Sequence, residues 1–363
     1  MSVPQTAQKQ PINIDGYEQL ASSFHRDGYI VLSQLFSTAF TSALLDECHT
    51  MFHAVLKYLH DRGEIEFAAP SRFSDVKNEY QYPLKQGLKN GYKELVMRSP
   101  GRYEMALLAN DSNETKKALP ASCLDLLKKW IKIGIQDPSF ECEQFDSSPQ
   151  SKRFLHDKQQ LKKLLGLVKT ILSERGSNST GTGTDSNFHL VNFSLVISTP
   201  GSEIQSWHAD GGHVSLISHE PCHVFNIFVP LVDVDLSMGP TELRPGSHYY
   251  TRDLTKMMLG ATARKELRPT ITPELHQGDV LVFDYRILHR GRANSSHKKH
   301  YRTSTMTASS STKQHANRTD RNHGGKDRPI LVITFAKSWF VDVCNFPKRS
   351  IFDLAEPGQG DEK

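Results

Sequence analysis

His208-Ala209-Asp210, inside the run Ser206-Trp-His-Ala-Asp-Gly-Gly-His213, sets the tightest condition on any fold open to this chain. A histidine and an aspartate two residues apart face the same side only if the segment is extended. Together they offer one imidazole and one carboxylate to a common point. A third donor must then come from a distant part of the chain. The best candidate is His289, which closes the apolar run beginning at Gly278-Asp279. Two imidazoles and one carboxylate bind one face of an iron(II) ion and leave three positions open. His208, Asp210 and His289 are therefore the expected metal ligands. The fold must bring two separated extended segments side by side.

The pattern of apolar residues changes near the middle of the chain. In the first half, Ala39 to Leu59 carries Phe40, Leu44, Leu45, Met51, Phe52, Val55 and Leu59 at helical spacing. Leu119 to Ile135 and Lys158 to Leu172 repeat the style, with lysines on the outer faces. These helices carry no catalytic signature and are expected to pack against a second element. Ser173 to Ser186 is polar and Gly-rich and reads as a connector. Beyond it come short runs rich in Val, Ile, Leu and Phe: His189 to Ser198, Val224 to Val234, Val280 to His289 and Ile330 to Ala336. Gly239-Pro240 and Pro245-Gly246 punctuate them as turns. Short strands without long helices between them predict a sandwich or jelly roll. The expected organisation is a mainly helical supporting region over 1–186, a β core over 187–345 with a disordered insertion about 296–326, and a tail over 346–363.

Composition narrows the class. The 363 residues are 37% hydrophobic and 23% charged, as in globular proteins. A net charge of +4 is too small to argue for nucleic acid or a membrane surface. No apolar run approaches the roughly 18 residues that a membrane helix needs. The amino terminus lacks the apolar core of a secretory signal. Five scattered cysteines, Cys48, Cys123, Cys142, Cys222 and Cys344, show no metal or redox spacing and read as free thiols. A cytoplasmic protein is expected. The histidines of the polar insertion, His297, His300, His315 and His323, read as solvated, because nothing around them fixes their geometry.

A centre of this kind calls for an acidic co-substrate, and 2-oxoglutarate is expected. Its keto-acid end would chelate the metal and its far carboxylate would need a buried cation. Arginine suits that carboxylate, since its planar fork gives two parallel hydrogen bonds. Arg328 opens a strand pattern and is favoured; Arg290, Arg292 and Arg302 compete on sequence distance. Thr334 or Asn192 could add a hydroxyl or amide to the same pocket. Gln205 could donate to the co-substrate or pack at a turn. Arg98-Ser-Pro-Gly-Arg102-Tyr-Glu104 is unusual for a helical region. Arg98 and Arg102 are candidates for the substrate mouth, with a salt-bridged structural turn as the alternative. Trp207, beside the first ligand, is a further substrate candidate. His213 reads as a neighbour of the centre, since the ligand set is complete without it.

At this point the chain resembles the phytanoyl-CoA dioxygenase family of Fe(II)- and 2-oxoglutarate-dependent oxygenases. Phe24-His-Arg-Asp-Gly-Tyr-Ile-Val-Leu32 looks like the family's opening, and Trp207-His-Ala-Asp-Gly211 carries the first two ligands. Phe228-Val-Pro-Leu-Val-Asp-Val234 and Gly239-Pro-Thr-Glu-Leu-Arg-Pro-Gly-Ser-His248 are similar to its central strand and turn. Leu288-His-Arg-Gly-Arg-Ala-Asn-Ser295 carries the distal ligand. The resemblance implies an α+β fold with a double-stranded β-helix core. It also implies Fe(II), 2-oxoglutarate and O2, with ascorbate as a candidate reductant. The expected reaction hydroxylates an unactivated C–H bond of a small molecule and releases succinate and CO2. The family's carboxylate-binding arginine usually follows the distal histidine more closely than Arg328 does, so the polar segment looks like an insertion and Arg302 stays in contention. Aspartate at 210, where halogenating relatives have alanine or glycine, argues against halogenation. Two alternatives remain: an inactive binding or regulatory protein on the same scaffold, or a cupin-like metalloenzyme of another reaction class. The residues do not single out a substrate or an oligomeric state.

Overall fold

A computed structural model describes residues 8–12, 16–65, 91–107, 123–136, 149–173, 188–215, 218–249, 269–296, 325–342 and 347–354. In chain order its elements are β1 (Lys9–Gln10), α1 (Tyr17–Asp27), β2 (Tyr29–Leu32), α2 (Thr38–Asp61), β3 (Leu95–Ser99), β4 (Arg102–Ala106), α3 (Cys123–Gln136), α4 (Pro149–Arg153) and α5 (Leu155–Leu172). There follow β5 (Phe188–Ser198), β6 (Val224–Pro230), β7 (Thr241–Leu243), β8 (Val280–Asp284), β9 (His289–Gly291) and β10 (Arg328–Lys337). Eight strands form one sheet in the order β1-β2-β8-β6-β10-β5-β4-β3. All its pairings are antiparallel except β1 with β2. A smaller antiparallel sheet joins β7 to β9. Single bridges extend it, from His208 to His289 on one side and from Leu243 to Ile271 on the other. The fold is α+β with a jelly-roll core.

Strand periodicity assigns each face of the large sheet. In β10, Leu331, Ile333 and Phe335 join the main core cluster with the helices. Their alternates Arg328, Ile330, Val332 and Thr334 line a cavity between the sheets. In β5, Phe193, Leu195 and Ile197 face the helices, while Asn192 and Val196 face the cavity. In β6, Phe225, Ile227 and Val229 go one way and Asn226 and Phe228 the other. One face is therefore uniformly apolar and the other mixed, the period-two signature of a sheet with two different environments. A smaller cluster of Val31, Leu243, Ile271, Leu275, Leu281, Phe283 and Ile287 closes the space between the two sheets.

The helices cover the apolar face. The Ser37 hydroxyl accepts from Phe40 N and starts α2. Glu47 of α2 accepts from Cys123 N and Leu124 N at 2.7 and 3.0 Å, so one helix caps the next. Trp130 of α3 is fully buried and stacks on Phe40 at 5.7 Å. Cys48, Cys123 and Cys222 are free and buried. No helix among the described residues is long and apolar enough to cross a membrane.

Two expectations change. Val280 to His289 is not one strand. β8 stops at Asp284, where Arg286 bonds back to the Asp284 carboxylate through Nε at 2.9 Å and Nη2 at 2.7 Å, both side chains buried. The chain turns there, and His289 opens β9 in the small sheet. The helical reading of the first half also missed a hairpin. β3 and β4 pair across the Pro100-Gly101 turn and extend the large sheet at β5. Most of the Ser173 to Ser186 connector, most of the 296–326 insertion with its histidines and Arg302, and Cys142, Cys344 and 355–363 lie outside the described residues.

Gly278 has φ +87°, and a Cβ there would lie 2.1 Å from the Phe36 carbonyl oxygen, a backbone atom that cannot swing aside. Gly278→Ala is expected to lower stability by about 1–3 kcal/mol in a urea titration. His223, just before β6, is buried and stacks on Trp339 at 5.5 Å. Burial, reinforced by the Arg286 charge, pushes its pKa down from 6.5 to about 4. Above pH 6.5 the ring is neutral in both folded and unfolded chains, so its contribution to stability is complete. Between pH 6.5 and about 4 the unfolded chain takes up a proton that the folded chain excludes, and stability falls. Replacing it by His223→Phe should flatten the loss of stability over that interval by on the order of 1–3 kcal/mol, measured by denaturation at each pH.

Candidate metal centre

His208 and His289 are backbone partners as well as side-chain neighbours. His208 N donates to His289 O at 3.1 Å, and His289 N donates to His208 O at 2.9 Å. This reciprocal pair holds the two imidazoles with ring centroids 4.4 Å apart. Each Nδ1 lies against the carbonyl two residues back, His208 on Ser206 O at 2.9 Å and His289 on Ile287 O at 3.0 Å. A carbonyl only accepts, so each Nδ1 carries the proton and each Nε2 presents its lone pair. Burial, together with the neighbouring His289, pushes the His208 pKa below its ordinary value, which favours the neutral ring a metal requires.

Asp210 completes the cluster. Its Oδ1 is 3.7 Å from His208 Nε2 and its Oδ2 is 3.6 Å from His289 Nε2. One donor atom from each of the three lies within 4.8 Å of the others. Two imidazole nitrogens and one carboxylate oxygen brought together in this way suit a divalent iron with open positions. Asn226 Nδ2 donates to Asp210 Oδ2 at 2.6 Å, and Thr334 Oγ1 donates to Asn226 Oδ1 at 2.7 Å. Sequence reasoning passed over Asn226. Its signal was an amide inside the apolar strand Val224–Pro230.

The cluster opens into a cavity of about 690 Å³ between the sheets. At the far end of β10, Arg328 and Arg102 flank Ser198 across neighbouring strands. Arg328 Nη2 and Arg102 Nε both donate to the Ser198 hydroxyl at 2.8 Å. Both arginines are 2% exposed. Arg102 also donates to Ser99 Oγ and to Arg292 O. Arg328 Nε and Nη1 are buried and make no hydrogen bond among the described residues. Neither guanidinium has an ion pair among the described residues. Burial lowers the Arg102 pKa to about 10, and burial plus the Arg102 charge hold that of Arg328 well below its ordinary value. Two adjacent buried cations, one of them with orphaned donors, cost several kcal/mol unless an anion joins them. This end of the cavity fits a carboxylate.

The structure brings most of the expected residues to this cavity. Arg98, Arg102, Asn192, Gln205, Arg328 and Thr334 all line it with the three metal-site residues. Their hydrogen bonds are partly committed. Arg98 pairs with Glu104 at 2.5 Å, and Asn192 donates to Glu104 and Ser194. Gln205 Oε1 accepts from Gly291 N at 2.9 Å. Arg290 pairs instead with Glu242. Trp207 does not line the cavity. Its ring meets the Arg244 and Arg290 guanidiniums, at 4.4 and 4.5 Å from its centroid. Alternation explains this, since His208 points inward and its neighbour must point out.

The family model described as phytanoyl-CoA dioxygenase matches residues 127–304, a span that holds His208, Asp210 and His289. Among solved structures, AviO1 from Streptomyces viridochromogenes Tue57 is 15% identical, with a TM-score of 0.43, over 93% of this chain and 99% of that one. The non-heme alpha-ketoglutarate-dependent epimerase SnoN from nogalamycin biosynthesis is 12% identical, with a TM-score of 0.43, over 96% and 93%. HygX from Streptomyces hygroscopicus, with nickel and 2-oxoglutarate bound, is 11% identical, with a TM-score of 0.42, over 89% and 88%. These likenesses are distant.

The Arg244 and Arg290 contacts on the Trp207 ring add to what holds the segment that carries His208, which also meets β9 through the His208–His289 bridge and the Gln205–Gly291 hydrogen bonds. Contacts of this kind contribute about 0.5–2 kcal/mol each. Trp207→Leu is expected to lower stability by about 1–2 kcal/mol in a denaturant titration. It should also weaken Mn(II) binding several-fold in a calorimetric titration.

Proposed function

We propose that the chain is an iron- and 2-oxoglutarate-dependent enzyme of the phytanoyl-CoA dioxygenase family, whose model it matches, and that it oxidises a small molecule at an unactivated C–H bond. In the balanced reaction substrate, 2-oxoglutarate and O2 become hydroxylated substrate, succinate and CO2. The observation that carries this reading is the pairing of two features on one cavity. A two-histidine, one-carboxylate cluster lies at one end, and the orphaned donors of buried Arg328 lie at the other.

His208, Asp210 and His289 would hold Fe(II), and the ion when bound supplies the activation of dioxygen. The protein's part is binding and orientation. Arg328 would take the far carboxylate of 2-oxoglutarate through Nε and Nη1, with Arg102 adding charge through the shared Ser198. Between these ends, the inner face of the large sheet is apolar at Val196, Phe228, Ile330 and Val332. Such a stretch suits the methylenes of the co-substrate and keeps water from its middle. The remaining wall, with Arg98 paired to Glu104, would meet the substrate. O2 would serve as oxidant, and the reaction balances without a further reductant; ascorbate would serve only to return iron oxidised off this cycle to the ferrous state.

Calorimetry of 2-oxoglutarate into the anaerobic Fe(II)-loaded protein tests the reading, followed by succinate release in air. Arg328→Met should weaken 2-oxoglutarate binding about a hundredfold or more, since one partner of a buried charged pair is removed. His208→Ala should abolish succinate release. Wild-type protein that binds Fe(II) yet neither takes up 2-oxoglutarate nor forms succinate would sink the proposal.

A further inference from the structure

We propose that Asn226, held by Thr334, is a positioning residue that fixes the Asp210 carboxylate so that it offers a single oxygen to the metal. The inference rests on the metal-centre reading above and adds a residue that the ligand pattern does not contain.

The orientation of the Asn226 amide follows from its partners. An ionised Asp210 carboxylate only accepts, so the group facing it at 2.6 Å must be the Asn226 NH2. Asn226 Oδ1 then faces the Thr334 hydroxyl at 2.7 Å, and that hydroxyl must donate. The proton of Thr334 is thereby committed to Asn226. The chain Thr334 to Asn226 to Asp210 runs in one direction only, and reversing the amide would set two acceptors against each other at the carboxylate.

Burial gives the chain its weight. Asn226 is 3% exposed and Thr334 2% exposed, and they face each other across the β6–β10 ladder. The neighbours of Asn226 along β6, Val224, Phe225, Ile227 and Val229, are all buried and apolar. An amide placed there costs free energy unless both its ends are bonded, and here both are. The bond occupies Asp210 Oδ2, while Oδ1 makes no hydrogen bond to a described residue. The two oxygens thus have different tasks. Oδ2 is anchored to the sheet, and Oδ1 is free for the ion. A carboxylate without this anchor can rotate to grip the ion with both oxygens and take a position that the co-substrate needs.

The test uses the purified full chain and Mn(II) alone, with binding followed by electron paramagnetic resonance titration. Partners that orient metal ligands typically carry roughly ten- to a hundredfold in metal affinity. Asn226→Ala should weaken Mn(II) binding by that factor. Thr334→Val, which exchanges a hydroxyl for a methyl at nearly constant volume, should weaken it several-fold, and Thr334→Ser should restore it. The Ser/Val contrast keeps the test readable even where Asn226→Ala folds poorly. Wild-type Mn(II) affinity in both Asn226→Ala and Thr334→Val would overturn this proposal alone. Wild-type protein that binds no Mn(II) would overturn the metal-centre reading and this proposal with it.

Discussion

The alternation of side chains along three strands is the constraint from which the rest follows. In β5, β6 and β10 every second residue is committed to the helix-covered core, and that commitment fixes the register of the whole sheet. The intervening residues are then free of the core and can carry chemistry. A slip of one residue would drive Arg328, Asn226 and Thr334 into the apolar layer and turn Leu331 and Ile333 toward the cavity. The polar inner face is stable because the apolar outer face cannot be moved.

That inner face is graded in charge along the strands. Two guanidiniums lie at one end, aliphatic and aromatic side chains in the middle, and an amide, a hydroxyl and a carboxylate at the other. The gradient matches a ligand with a distal carboxylate and a chelating head. Its cost is the burial of Arg328 and Arg102 without a counter-ion among the described residues. Such a cost is characteristic of sites whose electrostatics are completed by what they bind.

Much of the centre was legible in the sequence. The His-x-Asp spacing required an extended segment, and His208 and Asp210 do face one way. Arg328 announced itself by opening a strand, and it occupies the buried end of the cavity. What escaped was set by contacts between distant segments. The Asp284–Arg286 pair that ends β8 looks like two ordinary charges, two residues apart, inside an apolar run. The β3–β4 hairpin is too short to show a period, and its strands gain meaning only beside β5. Asn226 reads as a stray amide until Asp210 is placed against it. Trp207 looked like a binding aromatic because it adjoins His208, but neighbouring residues of an extended segment face opposite ways.

The reciprocal backbone bonds between His208 and His289 have a mechanical consequence. The two imidazoles hang from one bridge of the main chain, each ring held by the carbonyl two residues before it. Their separation is thus a property of the main chain and survives changes in the loops around it. A grip built this way is in place before any ion arrives. Under the proposed reading, cation capture would not wait for the polypeptide to reorganise, and most of the entropy of assembling the pair would be spent during folding.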